Sequence, residues 1–280
     1  MRLLHVKTYE LEDFLESEVP PYAILSHTWG QDEVSYQDIQ RLRSAKKKAG
    51  FEKIAYTCEQ AASDGLSWVW IDNCCIDKSS SAELQEAINS MYRRYADAEK
   101  CYAYLHDIHH KRLDHIWFTR GWPLQELIAP QDVTIYGSGW RFRGVRSDTN
   151  MLQMISSITT IDVSILNHSA SLSSISIAKR MSWAANRRTS RTEDLAYCLL
   201  GLFGASMPML YGEGARSFTR LQEEILRSTN DHSFFAWGLR ALRESYDLLA
   251  RSPSDFAGCH DVVVLGQTWP VRNDEPRPSH

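Results

Sequence analysis

The chain has 280 residues, 24 % of them charged and 43 % hydrophobic, a balance that excludes a wholly disordered or fibrous chain. Basic residues number 31 and acidic residues 35, and the net charge of −4 excludes a global pull toward nucleic acid or an anionic membrane. No apolar stretch precedes Glu10, Glu12 and Asp13, so the start does not read as a secretory signal, and six cysteines without a Cys-x-x-Cys pair fit reduced thiols in a cytoplasmic protein.

In chain order, Tyr22–Ser26 is a short apolar run after Pro20-Pro21 and before Gly30, which predicts a buried strand. Lys46–Lys48 reads as a solvated helix face. A helical pattern follows, with Ile54, Cys58 and Ala61/Ala62 on one face and Gly65 as its stop. Trp68-Val-Trp-Ile-Asp72 is apolar at four consecutive positions, as expected for a strand covered on both faces. Ser80 and Glu83 have capping-box spacing before a helix whose face is Leu84, Ile88, Met91 and Tyr95. Cys101–Leu105 is the third expected strand, Pro123 suits the first position of a helix through Ile128, and Val133–Tyr136 is the fourth strand. Strands and helices alternating in this way predict a doubly wound, mainly parallel α/β unit. From about Asn150 the patterns turn helical: Met151–Ile158, Ile175–Ala185, Thr192–Leu202 and Ala215–Leu226, with Ser190 and Glu193 as a second capping-box pair. The chargeless stretch Leu195–Gly212 contains Gly201, Gly204 and Pro208, so it reads as a buried helix and turn, not a membrane span. The expected organisation is an α/β domain over residues 1–145, a helical region over 146–240 packed on it, and, over 241–280, a loose tail or the start of a truncated region.

In doubly wound sheets ligands bind outside the carboxyl ends of the strands. The loops there carry Ser26, His27, Trp29 and Gly30 after the first strand, Asp72 after the second, and Arg120, Trp122 and Glu126 beyond the third. Each has a plainer alternative. A glutamate in the first turn of a helix gains about 0.3–1 kcal/mol from the dipole alone. Asp72 suits an Asx-turn as well as a pocket, His27 a buried backbone contact, and Trp68, Trp70 and Trp122 the core. His106, His109, His110 and His115, with Asp107 and Asp114, match no strong zinc signature and read as a solvated loop, so no metal is expected. Lys179-Arg180 and Arg187-Arg188…Arg191 read as exposed cations at a helix end and loop. Gly212-Glu-Gly214 lacks the third glycine and the preceding strand of a dinucleotide fingerprint.

Five stretches in order carry a resemblance: Ser26-His-Thr-Trp-Gly30, Trp70-Ile-Asp-Asn-Cys-Cys-Ile-Asp-Lys78, Ser81-Ala-Glu-Leu-Gln-Glu-Ala-Ile-Asn-Ser-Met91, Cys101-Tyr-Ala-Tyr-Leu105, and Trp117-Phe-Thr-Arg-Gly-Trp-Pro-Leu-Gln-Glu-Leu-Ile-Ala-Pro130. Together they resemble the successive motifs of the fungal heterokaryon-incompatibility (HET) domain. Ala184–Asp194 and Leu210–Gly214 resemble the region that follows it in many such proteins. Pro123, where the family more often has threonine, and His115-Ile116 depart from the pattern. The HET family is in turn distantly similar to TIR domains, some of which cleave NAD, and Trp122, Glu126 and Leu127 fit the tryptophan, glutamate and leucine that open one helix in plant members. The resemblance implies a TIR-like (flavodoxin-like) sheet and a role in fungal non-self recognition and regulated cell death. It implies Glu126 as the catalytic residue of an NAD-hydrolysing site, with Ser26, His27, Trp29, Gly30, Asp72, Arg120 and Trp122 near the substrate. NAD enters as substrate, and no cofactor is expected. Self-association through the α/β domain and an upstream recognition protein are the implied partners. The alternative is a non-catalytic, self-associating signalling module.

Overall fold

The structure, a computed structural model, describes residues 1–106, 116–238 and 248–263. Two short strands open the chain as a hairpin, β1 (Arg2–His5) and β2 (Leu11–Asp13). They are followed by β3 (Tyr22–His27), β4 (Trp68–Trp70), β5 (Lys100–Leu105), β6 (Thr134–Gly137) and β7 (Arg141–Val145). All seven form one sheet in the order β2-β1-β4-β3-β5-β6-β7. The four strands expected from apolar runs are the parallel centre, where β3 pairs with β4 and β5, and β5 with β6. The other three are antiparallel additions, so the sheet is mixed and the mainly parallel expectation is corrected. The physical reason is connection length: antiparallel neighbours need only a hairpin, and strands so short at a sheet edge need no long apolar run.

Helices α1 (Phe51–Ser63), α2 (Asp72–Cys75), α3 (Ser81–Asn89), α4 (Met91–Ala96) and α5 (Pro123–Ile128) belong to the α/β half. They cover both faces of the sheet. Side chains alternate along β3 and β5, and the pairing Ser26↔Ala103 sets the two strands in register. One face therefore presents Tyr22 to α4, where its hydroxyl donates to the Arg94 carbonyl, and Ser26 to α5. The opposite face presents Tyr102 to α1, where it donates to Asp64 at 2.6 Å.

Three local expectations change. The helix expected from Ser80 is two helices. Ser80 Oγ caps the first by accepting from the Glu83 N–H, but the Glu83 carboxylate turns outward to the Asp77 N–H and Arg2. Ser90 breaks the run, its hydroxyl donating to the Glu86 carbonyl one turn back, while Ile88, Met91 and Tyr95 remain on a buried face. Asp72 begins α2 instead of ending β4, because the strand pairing stops at Trp70.

The second half comprises α6 (Thr149–Thr159), α7 (Ile177–Ser182), α8 (Asp194–Tyr197), α9 (Leu200–Phe203) and α10 (Arg216–Ser228). The single helix expected over 192–202 is thus α8 and α9. Ser190 does not cap it, and the Glu193 carboxylate instead accepts the backbone N–H groups of Gly212 and Gly214 at 2.8 and 3.0 Å. The buried core is continuous from Leu3 to Cys259. Residues 248–263, expected within a loose tail, bury Ala250, Phe256 and Cys259, and Gln222 exchanges hydrogen bonds with the Ala250 backbone. All six cysteines are buried, none forms a disulfide among the described residues, and among the same residues no helix is long and apolar enough to cross a membrane.

Candidate functional site

The chain leaves β3 toward β4 on one side and returns to β5 on the other, so the connections diverge beyond the carboxyl end of β3. A cavity of about 370 Å³ opens there, against α3, α4 and α5. Strand alternation puts Ser26 underneath it. Ser26 Oγ accepts from Trp117 Nε1 at 2.8 Å and donates to the Glu126 carboxyl group. Glu126 lies in the first turn of α5, which Pro123 starts. Its side chain is buried toward the cavity, and the Tyr95 hydroxyl, which donates to the Leu25 carbonyl at 3.1 Å, lies within hydrogen-bonding reach of the same carboxyl.

The first turn of α5 is held by the second half of the chain. A Cβ on Gly121 would stand 2.6 Å from Thr189 Cγ2 and 2.9 Å from Cys198 Sγ, so only glycine lets the two backbones approach this closely. There Gly121 N–H donates to the Arg188 carbonyl, and Arg188 N–H donates to Thr119. The buried Arg187 guanidinium donates to the Arg120 and Trp183 carbonyls. This seam carries Ser190, Arg191 and Asp194 into the cavity wall, joined by Tyr211.

Burial governs the electrostatics. It raises the Glu126 pKa to about 8, with Asp72 adding to the effect and Ser26, Tyr95 and Arg187 opposing it, so the group is mostly protonated at neutral pH. The Asp72 pKa is also raised by burial, although Trp29 Nε1 donates to its Oδ2 at 2.9 Å. His27 is held far below the usual histidine range, first by burial and then by Lys53 and Lys78. It is therefore neutral, and its 3.9 Å approach to Asp72 is not an ion pair. Both its ring nitrogens are buried without a hydrogen-bond partner. Asp194 is raised by burial as well and accepts from Tyr211 at 3.0 Å and from the Trp122 indole. At the rim, Lys78 Nζ sits 3.4 Å from the centre of the Trp29 ring, Arg191 lies 4.4 Å over Tyr211, and Arg120 donates to Ser190 Oγ at 3.1 Å.

Of the residues expected near substrate, the structure brings His27, Trp29, Asp72, Arg120, Trp122 and Glu126 to this cavity, with Ser26 directly beneath. Gly30 is not brought there. Its N–H donates to the Glu33 carboxylate, and it borders a separate hollow of about 190 Å³ with Lys53, Tyr104 and His106. Of the histidine-rich loop only His106 is described, while Asp107, His109, His110, Asp114 and His115 lie outside the described residues. Sequence reasoning missed Tyr95, Lys78, Ser190, Arg191, Asp194 and Tyr211. Arg187, expected to be exposed, is buried. The available signal was that Ala184–Asp194 and Leu210–Gly214 carry family-like motifs made of polar residues without an evident role in packing.

Residues 22–112 match the family model for heterokaryon incompatibility protein (HET), and residues 216–272 match a domain of unknown function, DUF8212. Ser26, His27, Trp29, Gly30 and Asp72 fall inside the first match, while Arg120, Trp122 and Glu126 lie beyond it. Over 231 residues, 76 % of the chain, the sequence is 46 % identical to vegetative incompatibility protein HET-E-1 of Podospora anserina, of which it spans 17 %. No solved structure matches. With five motifs in order, a family match over the central strands and this relative, the chain is a HET-domain protein.

Proposed function

We propose that the chain is the effector module of an incompatibility response, in which non-self recognition ends in regulated cell death. In this reading its cavity hydrolyses NAD or a related nucleotide through Glu126. The HET match and the likeness to a vegetative incompatibility protein support the first part. One observation carries the second: Glu126 is buried in a cavity with cations at its rim, receiving a hydrogen bond from Ser26, instead of capping a helix in open solvent. The parallel strands, numbered by their sequence, run in the order 2-1-3-4, and this supports a TIR-like, flavodoxin-like unit with its ligand at the switch point. Cysteines without a disulfide among the described residues support a reducing, cytoplasmic compartment.

Hydrolysis breaks the bond between ribose C1′ and the pyridinium nitrogen. The electron pair passes to the ring, which leaves as neutral nicotinamide. Water adds to C1′ and one proton is released. The leaving group needs no acid, so one carboxylate suffices where glycosidases use two. Glu126 acts in its ionised form, facing the positive charge that grows at C1′. Entry of a cationic pyridinium into this dry pocket favours that form and expels the resting proton. His27 offers its unpartnered ring nitrogens and Asp72 its free oxygen to the ribose hydroxyls, while Trp29 and Trp122 offer aromatic faces. Wild-type protein is expected to release nicotinamide from NAD, and Glu126→Gln, folded as judged by circular dichroism, to release none. Concentrated or deliberately clustered protein that releases no more than a buffer blank ends the enzymatic reading.

A second reading, a non-catalytic module that signals by self-association, is favoured by Phe142, which is 62 % exposed on the edge strand β7. It expects Glu126→Gln to remain toxic in cells and Phe142→Ser to abolish both toxicity and association.

A further inference from the structure

The cations at the cavity rim, Arg191 and Lys78 exposed and Arg120 half-buried, are held differently from the buried and half-buried cations elsewhere. Arg146 donates to the carbonyls of Leu127, Pro130 and Gln131, and Arg187 to two carbonyls, while Lys53 pairs with Glu33 and Arg94 with Glu86. Arg120, Arg191 and Lys78 form no ion pair among the described residues. Each rests on a neutral group: the Ser190 hydroxyl, the Tyr211 ring and the Trp29 ring. The two carboxylates that could neutralise them are held by other donors, Asp72 by the Trp29 indole, Asp194 by the Tyr211 hydroxyl and the Trp122 indole. The rim therefore keeps three cations on weak, exchangeable contacts around one concavity.

We infer that Arg120, Arg191 and Lys78 form a phosphate-binding subsite that takes the phosphates of a nucleotide whose glycosidic end reaches Glu126. A phosphate gives each guanidinium two charge-assisted hydrogen bonds in place of a hydroxyl or a ring face. Trp29 and Tyr211, released by their cations, become free to stack on the ligand. The inference rests on the nucleotide reading of this cavity but not on bond cleavage.

The test is calorimetric titration of the full chain with ADP-ribose, adenosine and inorganic pyrophosphate. ADP-ribose is expected to bind more tightly than either of the others. Arg191→Gln and Arg120→Gln are each expected to weaken ADP-ribose about tenfold or more while leaving adenosine unchanged. Arg191 is exposed, so its variant tests the subsite even where Arg120→Gln lowers the melting temperature. Equal affinity for ADP-ribose and adenosine overturns the subsite, as do unchanged affinity in the Arg191 variant and no phosphate binding at millimolar concentration. Pyrophosphate binding as tightly as ADP-ribose overturns its assignment to a nucleotide. Nicotinamide release separates the two proposals: ADP-ribose binding by a wild-type chain that never releases nicotinamide sinks the hydrolase and spares the subsite.

Discussion

Burial of Glu126 ties both chemistry and stability to pH. The unfolded group loses its proton near pH 4.5, whereas the folded group keeps it to about pH 8. Between those values unfolding releases a proton, so this residue makes the fold less stable as pH rises through the window and adds nothing further above it. Each unit of separation is about 1.4 kcal/mol, so the full effect is on the order of a few kcal/mol at pH 8. Glu126→Gln removes that cost and keeps an acceptor for Ser26. Its melting temperature is expected to exceed that of wild type at about pH 8 and to match it near pH 5. The opposite sign applies to catalysis: at subsaturating NAD, nicotinamide release should rise about fifty-fold from about pH 6 to about pH 8 as the carboxylate forms, then level off above about pH 9, read as initial rates across that range. A flat profile would mean that the ionised carboxylate is not the working form. The position of Glu126 was legible in the Trp122–Leu127 pattern and in Pro123. Its protonation was not, because that depends on burial and on Asp72 outweighing Ser26, Tyr95 and Arg187, a balance struck between separate segments.

At the scale of elements, the seam between 119–121 and 187–190 positions the reactive turn. Gly121→Ala would drive a methyl group into Thr189 and Cys198. Overpacking of this kind costs about 1–3 kcal/mol. The relief is expected to come from displacement of 188–191, because α5 is fully buried. Activity and ADP-ribose affinity should therefore fall more than the melting temperature suggests, whereas the exposed Gly139→Ala control, strained by its left-handed backbone (φ +64°) but with no atom near its Cβ, should lose stability only. Equal losses in both variants would remove the seam from the account. The central strands were legible because β3, β4, β5 and β6 are buried on both faces and so carry unbroken apolar runs. The hairpin β1–β2 and the edge strand β7 were not, since Leu11–Asp13 and Arg141–Val145 are short and half-exposed, and their pairing is supplied by the neighbouring strand. The Ser190/Glu193 spacing misled for a related reason: Glu193 found stronger partners in the Gly212 and Gly214 backbone, too far along the chain for local pattern to weigh.

Across the whole molecule, the two halves are joined closely enough that neither completes the cavity alone. Asn89 at the end of α3 exchanges hydrogen bonds with the Met207 backbone and accepts from Ser206, and Gln85 accepts from Met209 N–H. Gly201 in α9 packs so tightly on Tyr92 of α4 that an added Cβ would lie 2.0 Å from the tyrosine Cβ. The α/β half supplies Glu126, His27 and Asp72, while the helical half supplies Arg191, Asp194 and Tyr211. Such an arrangement predicts one cooperative unfolding transition, not the two expected of independent units over 1–145 and 146–240. Gly201→Ala separates the possibilities, because the clash sits between the halves, α9 of one against α4 of the other. In a single unit it lowers one melting transition by at least the several degrees that 1–3 kcal/mol brings in a chain of this length, with tryptophan fluorescence and far-ultraviolet circular dichroism still coincident. In two loosely docked units it leaves the sheet's own transition in place and splits the curves. Coincident curves would also explain why Arg191 could not be assigned to the site from the sequence: it reaches the cavity only through packing between halves that are distant along the chain.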